Sequence, residues 1–164
     1  RYEQSVVWYD CQWSNYYPSD NYAFMYKCRS KYNSLIKMRY ADILLLKAEA
    51  KIMGTSPDLA GAASIINQVR NRVGLDPLPA SVTGSKEALL EAYLNERRLE
   101  LAFEGQRWYD LVRLDKVEEV MNSVFSKDEG RLPQVYPYNQ YSYRLPIPQS
   151  EIDANDKLDQ NDGY

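Results

Sequence analysis

Four carboxylates crowd one short stretch: Glu96, Glu100, Glu104 and Asp110, interleaved with Arg97, Arg98, Arg107 and Arg113. Two kinds of chemistry fit such a set. A pair of carboxylates flanking a glycosidic bond can hydrolyse it, one as acid and one as nucleophile or base. Glu100 and Glu104, one helical turn apart, are the pair that would do so. Planar guanidinium groups alternating with carboxylates instead form ion pairs that fix the register of packed helices. The spacing favours the second reading. Leu90, Leu94, Arg97, Leu101, Glu104, Trp108 and Leu111 recur at steps of four and three, which is one face of one helix. Arg97 and Glu104 sit inside that apolar stripe, where a charge is tolerated only when paired. The sequence therefore assigns no catalytic residue. It assigns a structural ion-pair network of Arg39, Asp42, Glu49, Glu96, Arg97, Glu100, Glu104, Arg107, Asp110 and Arg113, in which Arg39, Asp42 and Glu49 are the partners on another helix.

A second set of residues suits binding. Trp8, Tyr9, Trp13, Tyr16, Tyr17 and Tyr22 lie among Asn15, Asp20 and Asn21 near the start of the chain. Aromatic planes accept the C–H faces of sugar rings, while amide and acid groups read hydroxyls. Trp8, Tyr9, Trp13, Asn15, Tyr16 and Tyr17 are the candidate ligand-binding residues. The plainer alternative is that these aromatics cover the helical core in a region without regular structure. The segment Tyr136–Tyr143, with four tyrosines, has the same two readings and a third as a protein interface. Cys11 and Cys28 both lie in the first aromatic region; spacing leaves open a bridge or two free thiols. Asp153, Asn155 and Asp159 alternate as calcium ligands do, but Lys157 occupies a ligand position and the turn glycine is missing. That stretch reads as a solvated tail, and the sequence points to no metal and no cofactor.

Composition narrows the class. The chain has 164 residues, 45% apolar and 26% charged, which suits a globular domain with a real core. A net charge of −3 argues against a dedicated nucleic-acid surface. The absence of histidine removes the commonest general base and metal ligand. No apolar run reaches membrane-spanning length. Arg1-Tyr2-Glu3-Gln4 read as the interior of a longer chain, so the lack of a targeting segment carries no information about location.

The elements that must position these residues are helical. Residues 1–35 form an aromatic-rich loop region, with Val6–Tyr9 suited to a short strand. Residues 36–164 form a helical domain. Residues 39–53 form a helix so apolar that it should be buried on most sides, with Gly54 as its stop. Asp42 and Glu49, seven apart, share a face. Ser56-Pro57-Asp58 reads as a helix start with Ser56 as cap. Leu59, Ala62, Ala63, Ile66, Val69 and Val73 give the next buried face, and Gly74 ends it. The link between these helices is short, so they form a helical hairpin. Leu75–Gly84 is a connector. Ser85 caps a third helix running to about Phe103, with a break at Gly105 and a continuation to Leu114. A short helix follows around Lys116–Phe125. Arg144–Pro148 is extended, because each proline biases the residue before it away from helix. One further helical turn fits Ser150–Ala154.

Three blocks resemble the C-terminal part of the SusD/RagB family. They are Met38–Ala50, Glu96–Arg113, and Leu145–Ile152 together with Gln160–Tyr164. Leu114-Asp115 departs from the family pattern, which often has a small residue or glycine there. The resemblance implies an all-α fold with tetratricopeptide-like helical hairpins and long aromatic-rich loops. It implies a non-enzymatic, surface-exposed lipoprotein of the outer membrane that binds a glycan, or a peptide or other nutrient, and delivers it to a TonB-dependent transporter. It implies no nucleic-acid partner, and a membrane attachment only through a lipid anchor in an upstream part of the protein.

Overall fold

The computed structural model describes residues 1–10, 21–27, 37–127 and 137–164. Over these the chain is predominantly helical. Helix α1 (Tyr2–Ser5) leads into strands β1 (Val6–Asp10) and β2 (Asn21–Met25). Helices α2 (Tyr40–Met53), α3 (Leu59–Asn71), α4 (Ala80–Thr83), α5 (Lys86–Glu100), α6 (Arg107–Arg113), α7 (Val117–Lys127) and α8 (Gln149–Ala154) follow. The chain divides into two compact units, Arg1–Arg107 and Trp108–Tyr164.

The first unit is built on α2, α3 and α5, which pack on one another. Helix α2 buries Asp42, Leu45, Ala48 and Ile52, positions three or four apart that form one stripe. Tyr40, Ile43 and Met53 on its other sides are exposed. The expectation of burial on most sides is therefore corrected: α3 and α5 cover a single face. Helix α3 contributes Ala62, Ala63, Ile66 and Val69, and α5 contributes Leu89, Tyr93 and Leu94. Small residues on α3 let its backbone approach α2 closely, and a link of only Gly54–Asp58 makes the two a hairpin.

The ends of these helices have local causes. The cap of α3 is Asp58, not Ser56: its Oδ1 accepts from Gly61 N at 2.8 Å, and Lys51 Nζ meets its other oxygen at 2.5 Å. A side chain at Gly61 would run into that carboxylate, so the aspartate cap and the glycine are one device. Ser85 Oγ accepts from Ala88 N and caps α5. Helix α5 stops at Glu100, earlier than the apolar stripe suggests. Phe103 and Gly105 both have positive φ, 65° and 78°, so the backbone turns between α5 and α6. The stripe from Leu90 to Leu111 is thus carried by two helices and not one.

Strands β1 and β2 pair antiparallel in a two-stranded ribbon, with Val7 opposite Phe24, Trp8 opposite Ala23 and Tyr9 opposite Tyr22. Neither β2 nor the short helices α1 and α4 is visible in the sequence pattern.

In the second unit, Asn122 on α7 holds the segment after it by a matched pair of bonds to Tyr138, donating to its carbonyl and accepting from its N–H, both at 2.9 Å. The C-terminal residues clamp the extended run Arg144–Ile147. Gln160 bonds both the N–H and the carbonyl of Ile147, at 2.8 and 2.9 Å. Asn161 Nδ2 donates to Leu145 O, and Tyr164 Oη to Arg144 O. Prolines 146 and 148 keep this run out of any helix, so side chains of the tail satisfy its backbone groups. Asp115 adopts φ 52°, and aspartate tolerates that left-handed region better than most residues. Among the described residues no helix is long and apolar enough to cross a membrane.

Candidate functional site

The charged residues of α5 and the turn after it are gathered by cations from other segments. Arg39, at the N-terminal boundary of α2, forks across the end of α5. Its Nε meets Glu104 at 2.8 Å, its Nη1 meets Glu100 Oε1 at 2.7 Å, and its Nη2 donates to the backbone carbonyl of Glu100 at 2.5 Å. Lys27, just past β2, bonds the same carbonyl at 3.0 Å and pairs with Glu104. Two cations on the last carbonyl of α5 satisfy a group the helix leaves orphaned, and they oppose the negative end of its dipole. The left-handed turn at Phe103 and Gly105 is what returns Glu104 toward Arg39.

Glu96 and Glu100 are buried on the same face. Glu96 pairs with Arg1 and with Arg70 Nη1 at 3.1 Å. Glu100 meets Arg39, and also Arg72 Nη2 at 2.7 Å. Arg97 points to α2, where its Nη1 lies 2.7 Å from Asp42 Oδ1; both side chains are almost fully buried. One turn back, the Tyr93 hydroxyl donates to Glu49. Asp42 and Glu49 therefore both face α5, one meeting an arginine and the other a phenol. Arg107 Nη1 reaches the carbonyl of Leu94 at 3.4 Å. In the second unit Asp110 is buried and meets Arg113 at 2.8 Å. Arg98 is exposed and donates to Asn95.

Among the described residues, Glu96, Glu100 and Glu104 are thus met by Arg1, Lys27, Arg39, Arg70 and Arg72. Sequence reasoning did not single out Arg1, Lys27, Arg70 or Arg72. A signal for Arg70 exists: it lies four residues beyond Ile66, on the buried face of α3. Arg1 and Lys27 come from segments with no period to read.

This environment sets protonation. Burial favours a neutral Glu104, but hydrogen bonds and charge from Arg39 and Lys27 outweigh it and hold the carboxyl below its ordinary range. Burial likewise opposes the charge on Arg39, and Glu104 and Glu100 reverse it, so its guanidinium is held more firmly protonated than usual. A glycosidase acid needs a carboxyl raised toward neutrality and facing a substrate. Glu104 is shifted the other way, and Glu100 is enclosed by guanidinium groups.

The aromatic candidates divide. Trp13, Asn15, Tyr16 and Tyr17 lie outside the described residues, as do Cys11 and Cys28. Trp8 and Tyr9 are adjacent on β1 and half exposed, 51% and 49%. Neighbours on a strand point to opposite faces, so one sugar ring cannot stack on both. Tyr9 sits against Phe24 edge-on, with centroids 6.3 Å apart. Trp8 has only Ala23 across the strand, and its indole N–H donates to the Tyr2 hydroxyl. That bond holds the indole, and its cross-strand neighbour is small. Tyr141 and Tyr143 in the second unit are also exposed, while Tyr138 is tilted against Trp108 at 6.3 Å.

Residues 19–164 match the model of the SusD family, and the chain belongs to that family. It is 36% identical over 142 residues to SusD-like protein P2 of Formosa agariphila, which covers 83% of this chain and 27% of that protein. A crystal structure of a SusD-like protein from Bacteroides fragilis aligns with 79% of this chain and 26% of its own, at 32% identity and a TM-score of 0.61. A laminarin-binding SusD-like protein aligns with 78% of this chain and 23% of its own, at 38% identity and a TM-score of 0.52. The chain spans about a quarter of the length of the relatives it matches.

Proposed function

We propose that this chain is the C-terminal scaffold of a cell-surface glycan-binding protein that captures an oligosaccharide without cleaving it and delivers it to a TonB-dependent transporter of the outer membrane. The observation that carries the reading is the state of the carboxylates. Glu96, Glu100 and Glu104 are each engaged by cations and withdrawn from solvent, so the residues that most resemble hydrolytic machinery hold the fold instead. Membership of the SusD family supports glycan binding, and the laminarin-binding relative supports a saccharide over a peptide nutrient. Surface display and lipid anchoring belong to the same reading, through the family.

Trp8 is the ligand contact the ribbon favours within this chain. In the intact protein, Trp8→Ala should weaken binding of a laminarin oligosaccharide by roughly 5- to 150-fold, the loss of an aromatic stacking contact of about 1–3 kcal/mol. Tyr9→Ala should change it less. Equal affinities for wild type and Trp8→Ala remove Trp8 from the site. Release of reducing ends from the oligosaccharide contradicts the non-enzymatic reading itself.

A further inference from the structure

The ion-pair cluster is not balanced. Among the described residues, Arg1, Lys27, Arg39, Arg70 and Arg72 surround three carboxylates, Glu96, Glu100 and Glu104. Four of these cations, Arg1, Lys27, Arg39 and Arg72, line one cleft of about 370 Å³, and Glu100 is the acid in its wall. That volume lies at the lower end of small-ligand sites, about 300–1,000 Å³. Val73 and Leu99 add apolar lining.

The cleft also holds donors without acceptors. Arg1 places its Nη2 on Glu96, but its Nε and Nη1 are buried and have no hydrogen-bond partner among the described residues. The nearest carboxylate oxygen to Nε, on Glu100, is 3.7 Å away, too far for a hydrogen bond. Buried guanidinium N–H groups are costly to leave unmatched. A guanidinium presents its N–H groups in a fixed fork that suits two oxygens of one oxyanion. Arg72, although bonded to Glu100, is 59% exposed and stands at the mouth within reach of solvent.

We propose that this cleft is a subsite for the acidic group of a charged saccharide, a uronate carboxylate or a sulfate ester, with Arg1 and Arg72 as its principal donors and Val73 and Leu99 against the ring. The proposal rests on the glycan-binding reading above and narrows it to acidic glycans. The excess of cations supplies the attraction, the unmatched N–H groups supply the geometry, and the apolar lining separates a sugar from a bare ion.

Titration calorimetry on the intact protein tests this with four probes: a tetragalacturonate, a sulfated galactan tetrasaccharide, a neutral glucan tetrasaccharide and tetraglutamate. At least one acidic saccharide should bind at least tenfold tighter than the neutral one at low salt, and its affinity should fall as sodium chloride rises. Which acid binds tighter separates carboxylate from sulfate. Arg72→Gln should weaken the acidic saccharide about tenfold and leave the neutral one unchanged. Arg72→Lys, which keeps the charge and loses the fork, should fall between. Thermal melts establish that both variants fold. Should either unfold, sodium sulfate against sodium chloride at matched ionic strength decides: sulfate should raise the melting temperature of wild type more than that of Arg1→Gln, and an equal rise in both overturns the subsite. Neutral binding with no preference for either acid overturns the subsite and leaves the glycan reading intact. Tetraglutamate binding as tightly as the acidic saccharide overturns the saccharide assignment. No saccharide binding of any kind overturns the glycan reading together with the subsite.

Discussion

The pair of Arg97 and Asp42 offers the sharpest test of how α2 and α5 are held together. The two side chains meet at 2.7 Å and are only 2% and 6% exposed. Arg97 also lies over the Tyr93 ring, 6.0 Å from its centroid. Arg97 is the single side-chain partner of Asp42 among the described residues, so Arg97→Met strands a buried carboxylate in the interface. Breaking a buried pair in this way costs about 3–5 kcal/mol, a large share of a typical stability of about 5–15 kcal/mol. For a chain of this length each kcal/mol moves the melting temperature by about 2–4 °C, so a fall of roughly 6–20 °C is expected. Asp42→Leu should cost less, about 2–3 kcal/mol, because Arg97 keeps its place over Tyr93. The double variant Asp42→Leu/Arg97→Met replaces the pair by apolar groups of similar volume. It should return to within about 1–2 kcal/mol of wild type, since the desolvation of both charges is removed with their attraction. The assay is urea unfolding followed by far-ultraviolet circular dichroism, with equal m-values showing that the same surface unfolds in each variant. If Arg97→Met costs less than about 1 kcal/mol, or the double variant loses the sum of the two singles, the pair does not couple the helices and the reasoning fails.

Other consequences follow from the same geometry. Glu104 is held below its ordinary range, so its contribution is complete above about pH 4.3, the unfolded value, and is lost as pH falls through the folded value. Melting temperatures from pH 7 to pH 3 should therefore drop less steeply in Glu104→Gln than in wild type, and identical slopes would refute that origin. Glu100→Gln should lose about 3 kcal/mol by weakening its pairs with Arg39 and Arg72, read by urea unfolding. A fully stable Glu100→Gln that loses a measurable glycosidase activity would instead mark it as catalytic. Gly105→Ala forces a side chain into φ 78° and should cost about 1–2 kcal/mol, whereas Ser85→Ala removes a cap to Ala88 and should cost about 0.5–2 kcal/mol; denaturant midpoints check both.

The helices were legible where local chemistry and periodicity agreed. Helices α2, α3 and α5 each combine an apolar stripe with a start or stop signal, and the shared face of Asp42 and Glu49 pointed to contacts with one neighbour. The pattern failed where the backbone departs from a helix without breaking the spacing. Leu101 and Glu104 still fall at helical intervals, yet Phe103 adopts a conformation that no propensity for phenylalanine suggests. Strand β2 was not legible because pairing with β1 is a non-local choice. The cap of α3 moved from Ser56 to Asp58 because an acid beside Gly61 and Lys51 competes better for the free N–H. For the charged cluster, the sequence located the carboxylates, while the cations engaging them sit up to 95 residues away in the chain. Charge alone marks which residues need partners; only the fold selects them.

The central claim is that this protein captures a glycan and leaves it whole. The most direct measurement incubates the intact protein with an oligosaccharide series, separates bound from free, and weighs both fractions by mass spectrometry. The account predicts saturable retention of at least one oligosaccharide, recovered with its mass unchanged. Shorter products would contradict the account, as would a series in which no saccharide is retained.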